Sequence, residues 1–220
     1  MGVSVVTGAN RGIGLALVTQ LHQRGATVVA VCRQTSPALL ALGVRVESGI
    51  DVADPHAWSS LAARLAADDI ELLVHNAGIG RFETLDEITE ENVMAQFQVN
   101  ALAPLFLTRA LLPRLRPGAK VALVSSRMGS MGDNGSGGYY GYRMSKAALN
   151  AAGVSLAQDL KAAGIAVVML HPGAVRTDMT GGQGAIEPDA SAVGLLQRID
   201  ALELRTTGRF LHQDGTLLPW

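Results

Sequence analysis

The sequence predicts an α/β protein: a doubly wound parallel sheet of about seven strands with helices on both faces, in a single domain over residues 1–220. Three observations predict it. Short apolar runs alternate with helix-like stretches along the whole chain. The runs are continuous rather than alternating, as in Thr27–Cys32 (TVVAVC), which is the pattern of strands buried on both faces. No long linker or low-complexity tract breaks the alternation. Right-handed crossovers then leave a doubly wound sheet as the natural topology.

The elements follow in order. Val3–Val6 is an apolar run ending at Thr7, and Gly12–Arg24 reads as a helix stopped by Gly25. Thr27–Cys32 is the second strand. Ser36-Pro37 starts a short helix to Leu42, closed by Gly43, and Val44–Glu47 is the third strand. Asp54-Pro55 opens a helix through about Ala67, and Ile70–His75 (IELLVH) is the fourth strand. Thr89–Leu112 reads as one long helix with a bend at Pro104. Lys120–Val124 is the fifth strand, Tyr139–Ala163 an alanine-rich helix stopped by Gly164, and Ile165–Leu170 the sixth strand. A helix from Asp189 to about Leu202 and a short strand, Arg209–His212, complete the chain. The glycine-rich stretch Gly129–Gly141 has a linker's composition but sits inside this alternation, so it reads as an active-site loop.

Bulk properties narrow the function. Of the 220 residues 48% are apolar and 17% charged, with a net charge of -1, a balance that offers no basic surplus for nucleic acid. The single cysteine, Cys32, has no internal disulfide partner and fits a reducing cytoplasm. The first strand begins too early to leave room for a signal peptide. The longest weakly charged stretch, Asn92–Thr108, carries Gln96, Gln98, Asn100 and Pro104 and makes a poor membrane span. The histidines are scattered, which disfavours a metal site.

The candidate chemistry follows the strand ends. Gly8, Gly12 and Gly14 lie between the first strand and its helix, spaced Gly-x-x-x-Gly-x-Gly. Such a turn lets backbone approach a ligand closely, and the helix start offers N–H groups and a positive dipole end to an anion such as a pyrophosphate. After the second strand an acidic residue would select a free ribose 2′-hydroxyl and an arginine would accept a 2′-phosphate. The chain has Cys32-Arg33 there, with no acid until Glu47, and Arg11 adds a second cation. Forked guanidinium hydrogen bonds suit phosphate, so the pattern favours NADP(H) over NAD(H). Asp51 can accept from an adenine amino group or serve as a turn residue. In His75-Asn76-Ala77-Gly78 the small residues allow close passage of a ligand, and Asn76 can tie strand ends together.

Tyr142 and Lys146 stand four apart on one helix face. A free phenol titrates near 10, and a neighbouring ammonium lowers that value toward proton-transfer range. Ser126, at the end of the fifth strand, can hydrogen-bond a substrate oxygen. Asn100, mid-helix, can hold a water near Lys146 or bond backbone freed by Pro104. The small residues after Tyr142 (AALNAAGVSLAQDL) can pack on a partner helix or on the chain's own sheet.

Together, T-G-A-N-R-G-I-G (Thr7–Gly14), H-N-A-G (His75–Gly78), Asn100, Ser125-Ser126, Y-R-M-S-K (Tyr142–Lys146) and H-P-G-A-V-R-T-D-M (His171–Met179) resemble the short-chain dehydrogenase/reductase family. The likeness is to its small carbonyl-reductase-like members. It implies a Rossmann-type fold and a catalytic set of Ser126, Tyr142, Lys146 and Asn100. It implies an NADP(H) site drawn from Gly8, Asn10, Arg11, Gly12, Ile13, Gly14, Arg33, Asp51, Val52, Asn76, Ala77 and Gly78. Tyr142, Lys146, Pro172, Gly173, Val175 and Thr177 complete that site. The implied reaction interconverts a small carbonyl compound and its alcohol; the implied assembly is a homodimer or homotetramer. The alternative is a dinucleotide-binding regulatory protein of the bacterial C-factor kind.

Three departures stand out. His75 replaces the family's usual Asn. Sixteen positions separate Ser126 from Tyr142, so either Ser125 or Ser126 faces the substrate, and Ser126 aligns with the second serine of the usual pair. The segment after Met179 is short, which leaves the pocket open or closed by the glycine-rich loop or by Leu218-Pro219-Trp220.

Overall fold

A computed structural model describes residues 2–220. One parallel sheet holds seven strands in the order β3-β2-β1-β4-β5-β6-β7. The strands are β1 (Val3–Thr7), β2 (Thr27–Val31), β3 (Arg45–Glu47), β4 (Ile70–His75), β5 (Leu115–Val124), β6 (Ala166–His171) and β7 (Arg209–His212). Every pairing is parallel, as the continuous apolar runs predict.

Successive strand residues face opposite ways, so the sheet has two apolar faces. Val5, Val29, Leu73, Val121 and Val167 pack with Leu61 of α3 (Pro55–Arg64), Leu107 of α5 (Ala103–Leu111) and Leu149 of α6 (Tyr140–Asp159). Val6, Val28, Val74, Ala122 and Val168 pack with Leu17 of α1 (Gly12–Gln23) and Leu195 of α7 (Pro188–Asp200). Each fully buried Leu or Val contributes about 1.5–3 kcal/mol relative to exposure. Gly153 of α6 serves the same packing: an added Cβ would lie 2.3 Å from Met169 Sδ, so the small residues of this helix bring it close to its own sheet.

Most ends match their sequence signals. Ser36 caps α2 (Pro37–Leu40), Asp54 caps α3 and Thr89 caps α4 (Glu90–Phe97), each accepting a backbone N–H. Two expectations need correction. The long helix from Thr89 is not one bent rod. It is α4, a π-helical segment Gln98–Leu102, and α5. Proline removes a donor and its ring crowds the preceding turn, so the disruption falls before Pro104. Strand β5 begins at Leu115 rather than Lys120, with a register shift opposite Ile70/Leu72 that takes up Pro117 and Gly118.

Winding reverses between β1 and β4, which are neighbours in the sheet. A crevice opens there beyond the strand ends, between the turns that follow β1 and β4.

Candidate active site

A cleft of about 780 Å³ occupies that crevice. Gly8, Asn10, Arg11, Gly12, Ile13, Arg33, Asp51, Val52, Asn76, Ala77 and Gly78 line it, with Tyr142, Lys146, Pro172 and Thr177. These residues come from the ends of five strands and from α6, and the fold brings them to one place.

The turn after β1 is built by exclusion of side chains. Gly8 and Gly12 have φ of 66° and 54°, in the left-handed region that favours glycine. Gly14 is excluded from the cleft surface and makes room for it instead: a Cβ there would lie 2.1 Å from Gly8 O and 2.5 Å from Asn76 Nδ2. Asn76 locks the turn to β4, its amide donating to Thr7 O at 3.0 Å and Gly8 O at 3.1 Å. The Thr7 hydroxyl accepts in return from the N–H groups of Asn76 and Ala77, both at 3.1 Å. Unlike α2, α3 and α4, helix α1 has no side-chain cap. Its first N–H groups are therefore available to an anion in the cleft.

Both arginines border the cleft and both have a carboxylate neighbour. Arg33 Nη1 lies 3.9 Å from Asp51 Oδ2, and Arg11 Nη1 lies 2.6 Å from Asp178 Oδ2. All four groups are largely exposed, so the pairs are weak and either guanidinium can turn to another anion. Asp51 also accepts Ala53 N–H at 3.0 Å, so it is a turn residue whose second oxygen faces Arg33.

Tyr142 and Lys146 are both buried on α6. Lys146 Nζ lies 5.8 Å from the Tyr142 ring centroid and donates to Val124 O at 2.8 Å. Burial brings the Lys146 ammonium down to about 8. The sequence expectation that Lys146 lowers the Tyr142 phenol is not what dominates here: burial pushes the phenol up, and the facing Ser126 hydroxyl pulls it the other way. The two serines differ. Ser125 borders the cleft, but its hydroxyl donates to buried Asn150 Oδ1 at 2.7 Å. Ser126 is the one that faces the phenol.

Asn100 lies beneath the cleft, and its amide bonds the chain after β4 and Ser145 rather than backbone freed by Pro104. Its Oδ1 accepts Ile79 N–H at 2.9 Å, and its Nδ2 donates to Ile79 O at 2.8 Å and Ser145 Oγ at 2.9 Å. The Ser145 hydroxyl donates in turn to Tyr142 O at 2.8 Å. Asn100 thus pins the chain after β4 to the helix that carries Tyr142 and Lys146. Gly173 and Val175 lie outside the cleft lining; Val175 is buried and bridges to Ile186. His75, the departure from the family pattern, is fully buried, held by burial to about 3 and therefore neutral at ordinary pH. Its Nε2 lies 2.8 Å from Thr108 Oγ1, which itself donates to Pro104 O. Asn76, not His75, carries the strand-tying bonds.

Several contributors escaped sequence reasoning. Gln96 is fully buried, accepting Arg81 N–H at 2.8 Å and donating to Asn92 O at 3.2 Å. Ser145 carried a signal, as a polar residue on the buried face beside Lys146. Ile79 and Val99 line the cleft with no motif to mark them, and Met179, the last residue of the stretch from His171, lines it too. The loop Ser130–Tyr139 is held by Arg143, whose guanidinium donates to Gly138 O at 3.1 Å and Ser136 Oγ at 2.9 Å. Its far side is tied to the C-terminal segment: Gly132 N–H donates to Trp220 O at 2.7 Å, and Trp220 stacks on Phe210. Loop and tail, the two candidate covers, are joined to each other.

The family model described as short chain dehydrogenase matches residues 2–187. The chain is 42% identical over 226 residues to a 1-hydroxy-2-glutathionyl-2-methyl-3-butene dehydrogenase of Rhodococcus sp. (strain AD45), covering 100% of both. It is 43% identical over 164 residues to the C-signal of Myxococcus xanthus, covering 73% of this chain and 99% of that one. An NADPH-bound carbonyl reductase from chicken fatty liver superimposes with a TM-score of 0.90 at 32% identity, covering 100% of this chain and 98% of that one. Among the described residues no helix is long and apolar enough to cross a membrane, and no group of three or more His, Cys, Asp or Glu could hold a metal ion.

Proposed function

We propose that this chain, which belongs to the short-chain dehydrogenase family, is an NADP(H)-dependent oxidoreductase that reduces an aldehyde or ketone to an alcohol, or runs the reverse. The observation that carries this is the pairing of two features in one cleft. A buried tyrosine and lysine one helical turn apart meet a glycine-walled turn that no side chain could enter.

The residues present fit the cofactor. The backbone wall at Gly8 and Gly12 and the uncapped start of α1 suit a pyrophosphate. Arg33 and Arg11 suit a 2′-phosphate, and no acid follows β2 to favour its absence. Asp51 and Val52 would border the adenine; Asn76, Ala77, Gly78, Pro172 and Thr177 would border the nicotinamide end. When bound, NADPH supplies the hydride. The chain's own residues handle the proton. The raised phenol of Tyr142 is protonated at neutral pH, ready to donate to a carbonyl oxygen. Lys146, titrating at about 8, is mostly charged at pH 7 and stabilises the phenolate left behind. Ser126 favours the same ionised form and can hold the substrate oxygen. General-acid assistance of this kind contributes about 10²–10⁴-fold in rate. The Rhodococcus relative, a 1-hydroxy-2-glutathionyl-2-methyl-3-butene dehydrogenase, supports the alcohol-oxidising direction for the same groups.

The M. xanthus relative supports a second reading, a regulatory protein that binds the dinucleotide and signals through a partner. The intact Ser126–Tyr142–Lys146 set favours the enzyme, since signalling needs no proton donor. The enzyme reading also carries a homodimer or homotetramer and a cytoplasmic location, which light scattering and cell fractionation test. A panel of aldehydes and ketones with NADPH, followed by absorbance of the reduced cofactor, tests the main claim. Turnover of at least one carbonyl is expected; binding of NADPH with no turnover on any would favour the regulatory reading.

A further inference from the structure

Three consecutive residues before α6 are left-handed: Gly137, Gly138 and Tyr139, with φ of 66°, 65° and 55°. At Gly137 and Gly138 an added Cβ would meet nothing within 4 Å, so glycine stands there for its backbone freedom alone. Tyr139 repeats the conformation with a bulky side chain, and is the only non-glycine residue with positive φ among those described. Such a residue is an outlier whose cost must be met elsewhere. The surroundings enforce it: Tyr139 N–H donates to Glu83 O at 3.0 Å, and Tyr139 O accepts Arg143 N–H at 2.9 Å. The side chain does not cap the helix.

The ring instead reaches the neighbourhood of the reacting phenol through Phe82. Tyr139 and Phe82 meet edge to face at 5.4 Å, and Phe82 meets Tyr142 at 5.5 Å with a 68° interplanar angle. Gly80 packs between Phe82 and Met179, and Met179 lines the cleft. Phe82 and Tyr139 remain 42% and 39% exposed, so neither is spent on the core. The loop's cations are committed elsewhere, Arg143 to loop carbonyls and Arg127 to Asp133 at 3.0 Å. What Tyr139, Phe82 and Met179 offer around Tyr142 is π surface and a thioether.

We infer that Tyr139 is a specificity-determining residue, held in a strained backbone so that its ring and Phe82 receive a flat aromatic or conjugated group attached to the substrate's carbonyl carbon. This rests on the carbonyl-reducing reading. Ring pairs of this geometry favour planar π partners over saturated groups of the same size.

The test compares benzaldehyde with cyclohexanecarbaldehyde, using NADPH and the wild type, Tyr139→Gly and Tyr139→Phe. In the wild type kcat/KM favours benzaldehyde. Tyr139→Gly loses that preference by about tenfold, the upper range of one aromatic pair, with NADPH affinity unchanged. The same variant melts about 2–4 °C higher, because glycine relieves the left-handed strain. Tyr139→Phe keeps the preference. A lower melting temperature for Tyr139→Gly, or equal losses with both aldehydes, overturns the inference. Benzaldehyde binding to the NADP⁺-loaded protein, by calorimetry, separates the two claims. Binding that Tyr139→Gly abolishes, without wild-type turnover, keeps the aromatic rim and sinks the carbonyl-reducing reading. Turnover without discrimination keeps that reading and sinks the rim.

Discussion

Glycines crowd two regions of this molecule, the Gly8–Gly14 turn and the middle of the Gly129–Gly141 loop around Gly135–Gly138, for opposite reasons. At Gly14 a Cβ would lie 2.1 Å from a backbone oxygen; at Gly135, Gly137 and Gly138 it would meet nothing within 4 Å. In the first region two backbones and a helix start are pressed together, and any atom added displaces the neighbour that defines the site. In the second, glycine sets the path of the chain, and the fixed points come from outside: Arg143, Glu83 and Trp220. Glycine content alone does not distinguish a cradle from a loop. The neighbours do.

The sharpest way to break this contrast is a pair of alanine substitutions. Gly14→Ala is expected to cost about 3 kcal/mol or more in stability, as overpacking against backbone does, and to weaken NADPH binding beyond a hundredfold. Gly135→Ala is expected to stay within about 0.5 kcal/mol with unchanged NADPH affinity. Thermal unfolding and cofactor titration measure both, and similar losses at the two sites would end the distinction.

Within the first region, Arg33 is the residue expected to choose the cofactor. Arg33→Glu should weaken NADPH by about ten- to a hundredfold, about 1.4–2.8 kcal/mol, while NADH holds or gains. An unchanged ratio of the two affinities would remove Arg33 from the account. Lys146 borders both regions and gives a pH signature. Burial brings it to about 8 from its ordinary 10.5, so its charge is present below that value and lost above it. Carbonyl reduction should therefore be level below about pH 8 and fall toward tenfold per unit above it. A profile level to pH 10 would contradict that role. Within the first region the smallest effect belongs to the Arg11–Asp178 pair, which joins the turn to the segment after β6. Both groups are exposed, so Asp178→Asn should move the melting temperature by no more than about 1–2 °C and NADPH affinity by a few-fold at most.

The first region was legible in the sequence and much of the second was not, and the reason is distance along the chain. Gly8, Gly12 and Gly14 carry their geometry in one local spacing, and the end of β4, three strands later, supplies Asn76 within its own short motif. The strand runs were equally readable, since continuous apolar stretches have one stable place in a parallel sheet. The wall near Tyr142 is assembled from Phe82, Tyr139 and Met179, which share no motif, and its supports include Trp220 at the opposite end of the chain. Asn100 was found for its rarity as a mid-helix amide, but its partners, Ile79 and Ser145, required the fold. The π-helical turn before Pro104 was legible only as a break, because proline announces a missing donor without saying how the helix absorbs it.

The central claim is that Tyr142 gives the proton. Tyr142→Phe keeps the ring against Phe82 and removes only the hydroxyl. Rapid-mixing measurement of NADPH oxidation with a turned-over carbonyl should show the rate falling by about 10²–10⁴-fold, with NADPH affinity unchanged. A variant that oxidises NADPH within a few-fold of the wild-type rate would contradict it.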